Sequence, residues 1–268
     1  MQILISLLYR RQTFLSRPEW LERPWKSITK TPYDELINWL FSLPDVIGQF
    51  DAVAQETDHT KLRAGLHDII EKYSEIDTVL QRLYANFDQS VSGPLYWAAL
   101  STLDSCVDND QHGKAFPVSF HFPNFSIALI VATYWSNMMV VHIQLMYVYA
   151  KLAAVESPED ISGGAQDTQC STAADSKSYE AMQFYERSRE HASKWTTMAK
   201  NICQSGEYFM QDNMGAHGAL SIITLLSGCY SCFENSPSDW SREINWIAEY
   251  MCRIKKKVNL PSRNLLES

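Results

Sequence analysis

Residues 125–150 read FSIALIVATYWSNMMVVHIQLMYVYA and contain no Asp, Glu, Lys or Arg. A stretch of this length is long enough to cross a bilayer as a helix. Polar side chains interrupt it, however, and such groups are costly in lipid but find hydrogen-bond partners in a protein core. These polar residues are Ser126, Thr133, Ser136, Asn137, His142 and Gln144. The stretch therefore predicts a long central helix, the most buried of the chain, and no membrane association is expected.

Three further segments carry apolar residues at helical spacing, and each such stripe needs another helix to cover it. The first stripe is Leu62, Leu66, Ile69, Tyr73, Ile76, Leu80, Leu83 and Phe87. The second is Met182, Tyr185, Ala192, Trp195, Ala199 and Ile202, and the third is Trp240, Ile244, Ile247, Met251, Ile254 and Val258. These patterns predict an all-α fold in which several helices pack around the central one.

Capping residues predict where some helices begin and end. Thr31 followed by Asp34 predicts the start of a short helix through Leu43, which Pro44 is expected to end before Asp45 caps another.

The last helix is predicted to begin with Ser236 as N-cap and Pro237 as its first residue. Residues 118–122 alternate between apolar and polar types for only a few positions, so they are interpreted as an extended linker, and no sheet of three or more strands is expected.

Residues 156–178 are rich in Ser, Asp, Gly, Gln and Ala, which predicts a flexible loop between two helical halves. No internal repeat is visible, and the helices on either side of this loop need each other for burial. The 268 residues are therefore interpreted as one helical domain, 1–268.

Lys and Arg number 23 against 31 Asp and Glu, and the net charge of −8 disfavours direct binding to nucleic acid. The only dense basic run holds Arg253, Lys255, Lys256 and Lys257 at the end of the last predicted helix. Cations there complement the negative end of the helix dipole, and a nuclear-import signal is the alternative explanation.

Of six cysteines only Cys229 and Cys232 have close C-x-x-C spacing, and they lie within an apolar helical run. No metal site and no cofactor are therefore predicted, and unpaired cysteines fit the reducing nucleus or cytoplasm. The N-terminus lacks the pattern of a signal peptide. Motifs of nucleophile-elbow hydrolases, P-loop proteins and dinucleotide-binding folds are absent, so no catalytic residue is assigned and a non-enzymatic function is favoured.

Polar residues on the central helix are the candidate ligand-binding residues. Asn137 and Gln144 are seven positions apart and share a helix face, while Tyr134 and His142 lie on the same apolar helix. These four side chains are predicted to line a small-molecule cavity. A hydrogen-bonded core histidine is the structural alternative for His142.

Landmarks along the chain resemble, in order, the regulatory region of fungal zinc binuclear-cluster transcription factors. The resemblance covers roughly residues 7 to 257 and is carried by residues 7–16 (LLYRRQTFLS), 18–20 (PEW), 24–25 (PW), 134–135 (YW), 202–205 (ICQS), 207–208 (EY), Gly215, Gly218, 243–244 (EI) and 246–247 (WI). It implies an all-helical module that governs activity through partners or small effectors. The zinc cluster of that family needs closely spaced cysteines near the N-terminus, whereas the first cysteine here is Cys106.

Three functions follow from these observations. The first is a regulatory protein of a fungus that acts through a DNA-binding partner or self-association, responds to a small-molecule effector and controls a metabolite biosynthesis pathway. The second is a helical protein that binds or transforms a metabolite on the same scaffold. The third is a truncated gene product without a separate activity.

Overall fold

A computed structural model describes residues 14–157, 171–236 and 238–259. Within these ranges the chain forms α1 (Pro18–Leu21), α2 (Pro32–Ala54), α3 (His59–Ser90), α4 (Phe125–Glu156), α5 (Ser171–Gln204), α6 (Gly206–Phe209), α7 (Gly215–Glu234) and α8 (Ser241–Lys257). Two strands, β1 (Trp97–Leu100) and β2 (Val118–His121), and three 3-10 turns, Phe14–Ser16, Arg23–Trp25 and Asp212–Met214, complete the described elements. The all-α prediction is confirmed.

The central helix α4 begins where the Asn124 side chain accepts a hydrogen bond from the Ile127 N–H at 3.0 Å. It packs against α5 along its length and against α2, α3 and α7 on its other sides. As a result it carries more buried residues than any other described helix, as predicted. By length and composition α4 and the segment Asp212–Glu234 are both apolar enough to span a membrane, and 56% and 44% of their most apolar windows are buried within the protein.

Helix α3 confirms the first apolar stripe. Asp58 caps it by accepting hydrogen bonds from the backbone N–H groups of Thr60 and Lys61. The stripe residues are buried against α2 and α4, except for Leu83, which is half-buried. A single period of apolar residues was therefore sufficient to locate both the helix and its inner face.

Helix α2 corrects the prediction that Pro44 ends a short helix. Thr31 and Asp34 form the predicted capping box, but the helix continues through Pro44 to Ala54. A proline inside a helix removes one backbone hydrogen bond at a cost of about 3 kcal/mol. Leu43 and Ile47 are buried on either side of it, and burial of two such side chains offsets that cost. Asp45 therefore lies inside the helix and caps nothing.

Helix α5 begins at Ser171, so the C-terminal part of the predicted loop at 156–178 is helical. Residues 158–170 of that loop lie outside the described part of the chain. At the other edge α4 runs to Glu156, whose buried carboxylate lies 2.8 Å from Nε of Arg63 in α3. Arg63 also pairs with Glu180 of α5, and it therefore connects three helices at this end of the fold.

The buried face of α5 differs from the predicted second stripe in its first half. Met182 and Tyr185 are 58% and 62% exposed. Ser188 and His191 instead face α4, where the Ser188 hydroxyl donates to the Met146 carbonyl at 2.9 Å. The second stripe was predicted from apolar residues alone, whereas polar side chains make part of the contact between α5 and α4. From Trp195 to Ile202 the prediction is confirmed.

Residues 118–121 are a strand rather than a linker. They pair antiparallel with β1, with Trp97 opposite His121 and Leu100 opposite Val118. The partner strand β1 lies earlier in the chain, beyond an irregular segment, so the residues of β2 alone could not predict the pairing. In the described part of the chain this sheet has two strands, in agreement with the expectation that no larger sheet forms.

Two carboxylates hold the irregular segment between the strands against the helices. Glu207 accepts hydrogen bonds from the backbone N–H groups of Thr102 and Leu103, each at 3.2 Å. Glu249 of α8 accepts from the Ser105 hydroxyl at 2.6 Å and the Cys106 N–H at 2.8 Å. The Ser105 hydrogen bond, together with those from Cys106 and Arg253, lowers the pKa of Glu249 to about 2.

Helix α8 begins at Ser241, later than predicted, and Pro237 lies outside the described residues. The Ser236 hydroxyl does not cap the helix, because it accepts a hydrogen bond from the indole N–H of Trp240 at 3.2 Å. Asp239 accepts from the Ser241 N–H instead. Of the third stripe, Ile247, Met251 and Ile254 are buried as predicted, whereas Trp240, Ile244 and Val258 are half-buried. Trp246 and Tyr250, which the stripe did not include, are buried as well.

Candidate functional site

A cavity of about 320 Å³ lies between α2, α4 and α7. Its wall is mainly aliphatic because α4 presents Val140 and Ile143 to it and α2 presents Leu40 and Ile47. On α7, Gly228 contributes no side chain, and a Cβ placed there would find only Met139 Cε, at 3.8 Å. The remaining wall residues are Tyr33, Ile37, Leu129, Thr133, Ser136, Met139, Gln144, Leu220, Ser221, Thr224, Leu225, Ser231 and Cys232.

A second, wider cavity of about 750 Å³ adjoins the first. The residues that form part of both walls are Ile143, Gln144, Ser231 and Cys232. The other wall residues of the second cavity are Phe50, Met146, Tyr147, Ala150, Lys151, Ala154, Trp195, Asn235 and Ser236. We call the two together the α4 channel, with the 320 Å³ cavity as its inner part and the 750 Å³ cavity as its outer part.

Of the four predicted ligand-binding residues, only Gln144 lines the α4 channel, and it does so in both parts. Asn137 is fully buried, and its Nδ2 donates to the carbonyls of Leu36 and Thr133, each at 3.1 Å. Asn137 thus ties the central helix to α2.

Tyr134 and His142 face other neighbours of α4. Tyr134 stacks on Tyr84 of α3 with ring centroids 4.2 Å apart, and burial raises its pKa to about 12. His142 faces α5. The structure therefore places the four side chains in four different surroundings, and one of these is the channel.

His142 and His191 form a buried pair between α4 and α5. Their Nδ1 atoms are 3.2 Å apart, so one ring donates a hydrogen bond to the other. Tyr149 stacks on His191 with the ring planes 10° apart. Burial lowers the pKa of both imidazoles to about 4. Both rings are neutral at physiological pH, and this agrees with the structural alternative of a hydrogen-bonded core histidine.

The basic run at the end of α8 is partly engaged in intramolecular contacts. Arg253 donates to the Asp104 carbonyl and pairs with Glu249. Lys257 donates to the Gln211 carbonyl at 3.2 Å. Lys256 is exposed and Lys255 is half-buried. These contacts give Arg253 and Lys257 a structural role, and nuclear import remains a prediction.

The C-x-x-C pair lies within α7, as predicted. Cys229 is buried beside Met139, and Cys232 lies in the channel wall. Burial raises the pKa of both thiols, so both stay protonated at neutral pH and are poor nucleophiles.

Sequence reasoning missed Lys151 and Trp195 as channel residues. Trp195 was assigned to an apolar stripe, and Lys151 follows directly after the charge-free stretch. Their shared cavity arises from the packing of α4 on α5, which no local pattern encodes. Lys151, half-buried and the first charged residue after the apolar stretch, is the one signal that would have pointed to it.

The channel wall combines apolar side chains with a few polar groups. The wall offers hydroxyls, two amides, a protonated thiol and one ammonium group, but neither carboxylates nor histidines. Among the described residues, no group of three His, Cys, Asp or Glu side chains is arranged to hold a metal ion.

Comparisons with known proteins find no match among family models, curated proteins or solved structures.

Proposed function

We propose that this chain is a regulatory domain that binds a small apolar molecule in the α4 channel and transmits its presence to a protein partner. The observation that carries the proposal is the inner cavity of about 320 Å³, which has the size and the mainly apolar lining of a small-molecule site. The resemblance to the regulatory region of fungal transcription factors supports the same proposal, because small effectors are expected for such regions.

A cavity-filling variant tests the binding step. Gly228→Leu places a side chain in the inner part of the channel, where a Cβ meets no atom closer than 3.8 Å. We expect the neutral fluorescent probe N-phenyl-1-naphthylamine to bind the wild-type chain saturably, and the variant to weaken that binding by about tenfold or more. Fluorescence titration measures both dissociation constants.

Gly48→Leu is the matched control, because it also replaces a helical glycine with open space around it but is not part of the channel wall. It should bind the probe as the wild type does. Equal affinity in all three proteins, or no binding to any of them, would contradict the proposal.

The second step of the proposal is action through a DNA-binding partner. The net charge of −8 and the intramolecular contacts of Arg253 and Lys257 leave few cations to neutralise phosphates. We therefore expect the isolated chain to show no sequence preference in gel-shift titrations at physiological salt. Specific binding should appear when a zinc-cluster protein of the same organism is added. A dissociation constant of roughly 10⁻⁸ M for the isolated chain on a specific site would refute this step.

A further inference from the structure

The α4 channel changes in polarity from its inner to its outer part. Aliphatic side chains dominate the inner part, and its polar groups are uncharged. The outer part adds the ammonium group of Lys151, the Asn235 amide and the Ser236 hydroxyl. A ligand that matches both parts has an apolar body and a polar head group at one end.

Trp195 is a buried member of this outer wall. The residue is 2% exposed, and its Nε1 has no acceptor among the described residues. The indole is held on other sides by Phe233 and Trp240, whose ring centroids lie 5.5 Å and 6.2 Å from it. The Nε1 atom itself has no accessible surface, so the indole contributes apolar wall rather than a hydrogen-bond donor to the cavity.

Lys151 determines the sign of the head group. No carboxylate pairs with it among the described residues, and the described outer wall contains no acidic side chain. The chain as a whole carries a net charge of −8 and repels anions, so an anionic ligand needs a local cation of this kind.

Resting on the proposed function, we infer that the α4 channel binds an apolar monocarboxylate of the fatty-acid class. The hydrocarbon chain fills the inner part between α2, α4 and α7. The carboxylate lies in the outer part, where Lys151 provides a cation and the Ser236 hydroxyl a hydrogen-bond donor.

The inference is tested with three probes that share a hydrocarbon chain and differ in head group: dodecanoate, dodecanol and dodecyltrimethylammonium. Each is titrated against wild-type protein loaded with N-phenyl-1-naphthylamine, and native mass spectrometry measures dodecanoate binding directly. We expect dodecanoate to displace the neutral probe at a concentration about tenfold lower than dodecyltrimethylammonium.

Lys151→Met should remove this preference while leaving the affinity for dodecanol unchanged. Lys255→Met is the control, because it removes one cation from α8 outside the channel wall and should leave the order of the three probes unchanged.

The outcomes separate this inference from the proposed function. If N-phenyl-1-naphthylamine binds but the three head groups compete equally, the inference is wrong and the proposed function stands. An unchanged preference in Lys151→Met would overturn the inference in the same way. If neither the neutral probe nor dodecanoate binds the wild type, both fail together.

Discussion

Replacing Gly218 with alanine is expected to lower the free energy of unfolding by about 3 kcal/mol, the upper range for overpacking a core. A Cβ at this position would lie 2.3 Å from the Phe209 carbonyl oxygen and 2.7 Å from Met214 Cβ. The Phe209 carbonyl oxygen is a backbone atom at the C-terminal end of α6, and it cannot rotate away as a side chain does. Relief of the clash therefore requires α7 to shift away from the turn that precedes it.

Gly48→Ala is the matched control for this prediction. Gly48 is also a glycine inside a helix, but no atom lies within 4 Å of the added Cβ. Alanine is the better helix former by about 1 kcal/mol, so this variant should be as stable as the wild type or more stable. Urea unfolding of the three proteins measures the difference. A Gly218→Ala midpoint equal to that of Gly48→Ala would show that the close contact of α6 and α7 is not required.

The buried histidine pair is expected to make the fold sensitive to acid. Both rings are neutral in the folded protein because burial lowers their pKa to about 4, whereas an unfolded histidine has a pKa near 6.5. The unfolded chain therefore binds more protons between these values. The stabilisation is complete above pH 6.5 and is lost as the pH falls toward 4. Between pH 7 and about pH 5 we expect a loss of about 3 kcal/mol from the two rings together.

Charged groups around the pair modify this effect without reversing it. Lys194 lowers the pKa of both rings, and Glu190 raises it. Asp77 of α3 raises the pKa of His191, while the neighbouring His142 lowers it. Burial is the largest influence on each ring, so the direction of the pH dependence is set by the contact of α4 with α5.

A double variant, His142→Gln with His191→Gln, measures the contribution of the pair. Glutamine retains hydrogen bonding but does not titrate, so the fall in urea midpoint between pH 7 and pH 5 should become shallower. His59→Gln removes an exposed histidine at the start of α3 and should keep the wild-type slope. Identical slopes for the double variant and the wild type would exclude the pair as the acid-sensitive element.

Two glycines that contribute to the family resemblance have physical roles in the structure. Gly215 adopts a φ of 54° where α7 begins, a backbone conformation that side chains disfavour. Gly218 permits the close approach of α7 to α6. The sequence showed their presence and spacing. The reasons for glycine became visible only in the structure, from the φ of Gly215 and from the α6 backbone beside Gly218.

The sequence was sufficient wherever the determining interactions are local. The charge-free stretch predicted α4, one apolar period predicted α3, and Thr31 with Asp34 predicted the start of α2, because each signal is contained within one helix. Gln144 is the one predicted ligand residue that the structure places in the channel. Tyr134, Asn137 and His142 lie on the same helix but face other neighbours, so the local signal predicted the helix and not the face that meets the channel.

Tertiary structure decided the features that depend on contacts between distant segments. Helix α2 continues through Pro44 because Leu43 and Ile47 are buried on either side of it. The polar face of α5 is buried because the Ser188 hydroxyl donates a hydrogen bond to the Met146 carbonyl. Strand β2 required a partner that lies before it in the chain. The α4 channel combines Lys151 of α4, Trp195 of α5 and Gly228 of α7, so its shape and polarity arise only when these helices pack together. Local periodicity determines which face of a helix is apolar, whereas packing determines which apolar faces meet and where space remains between them.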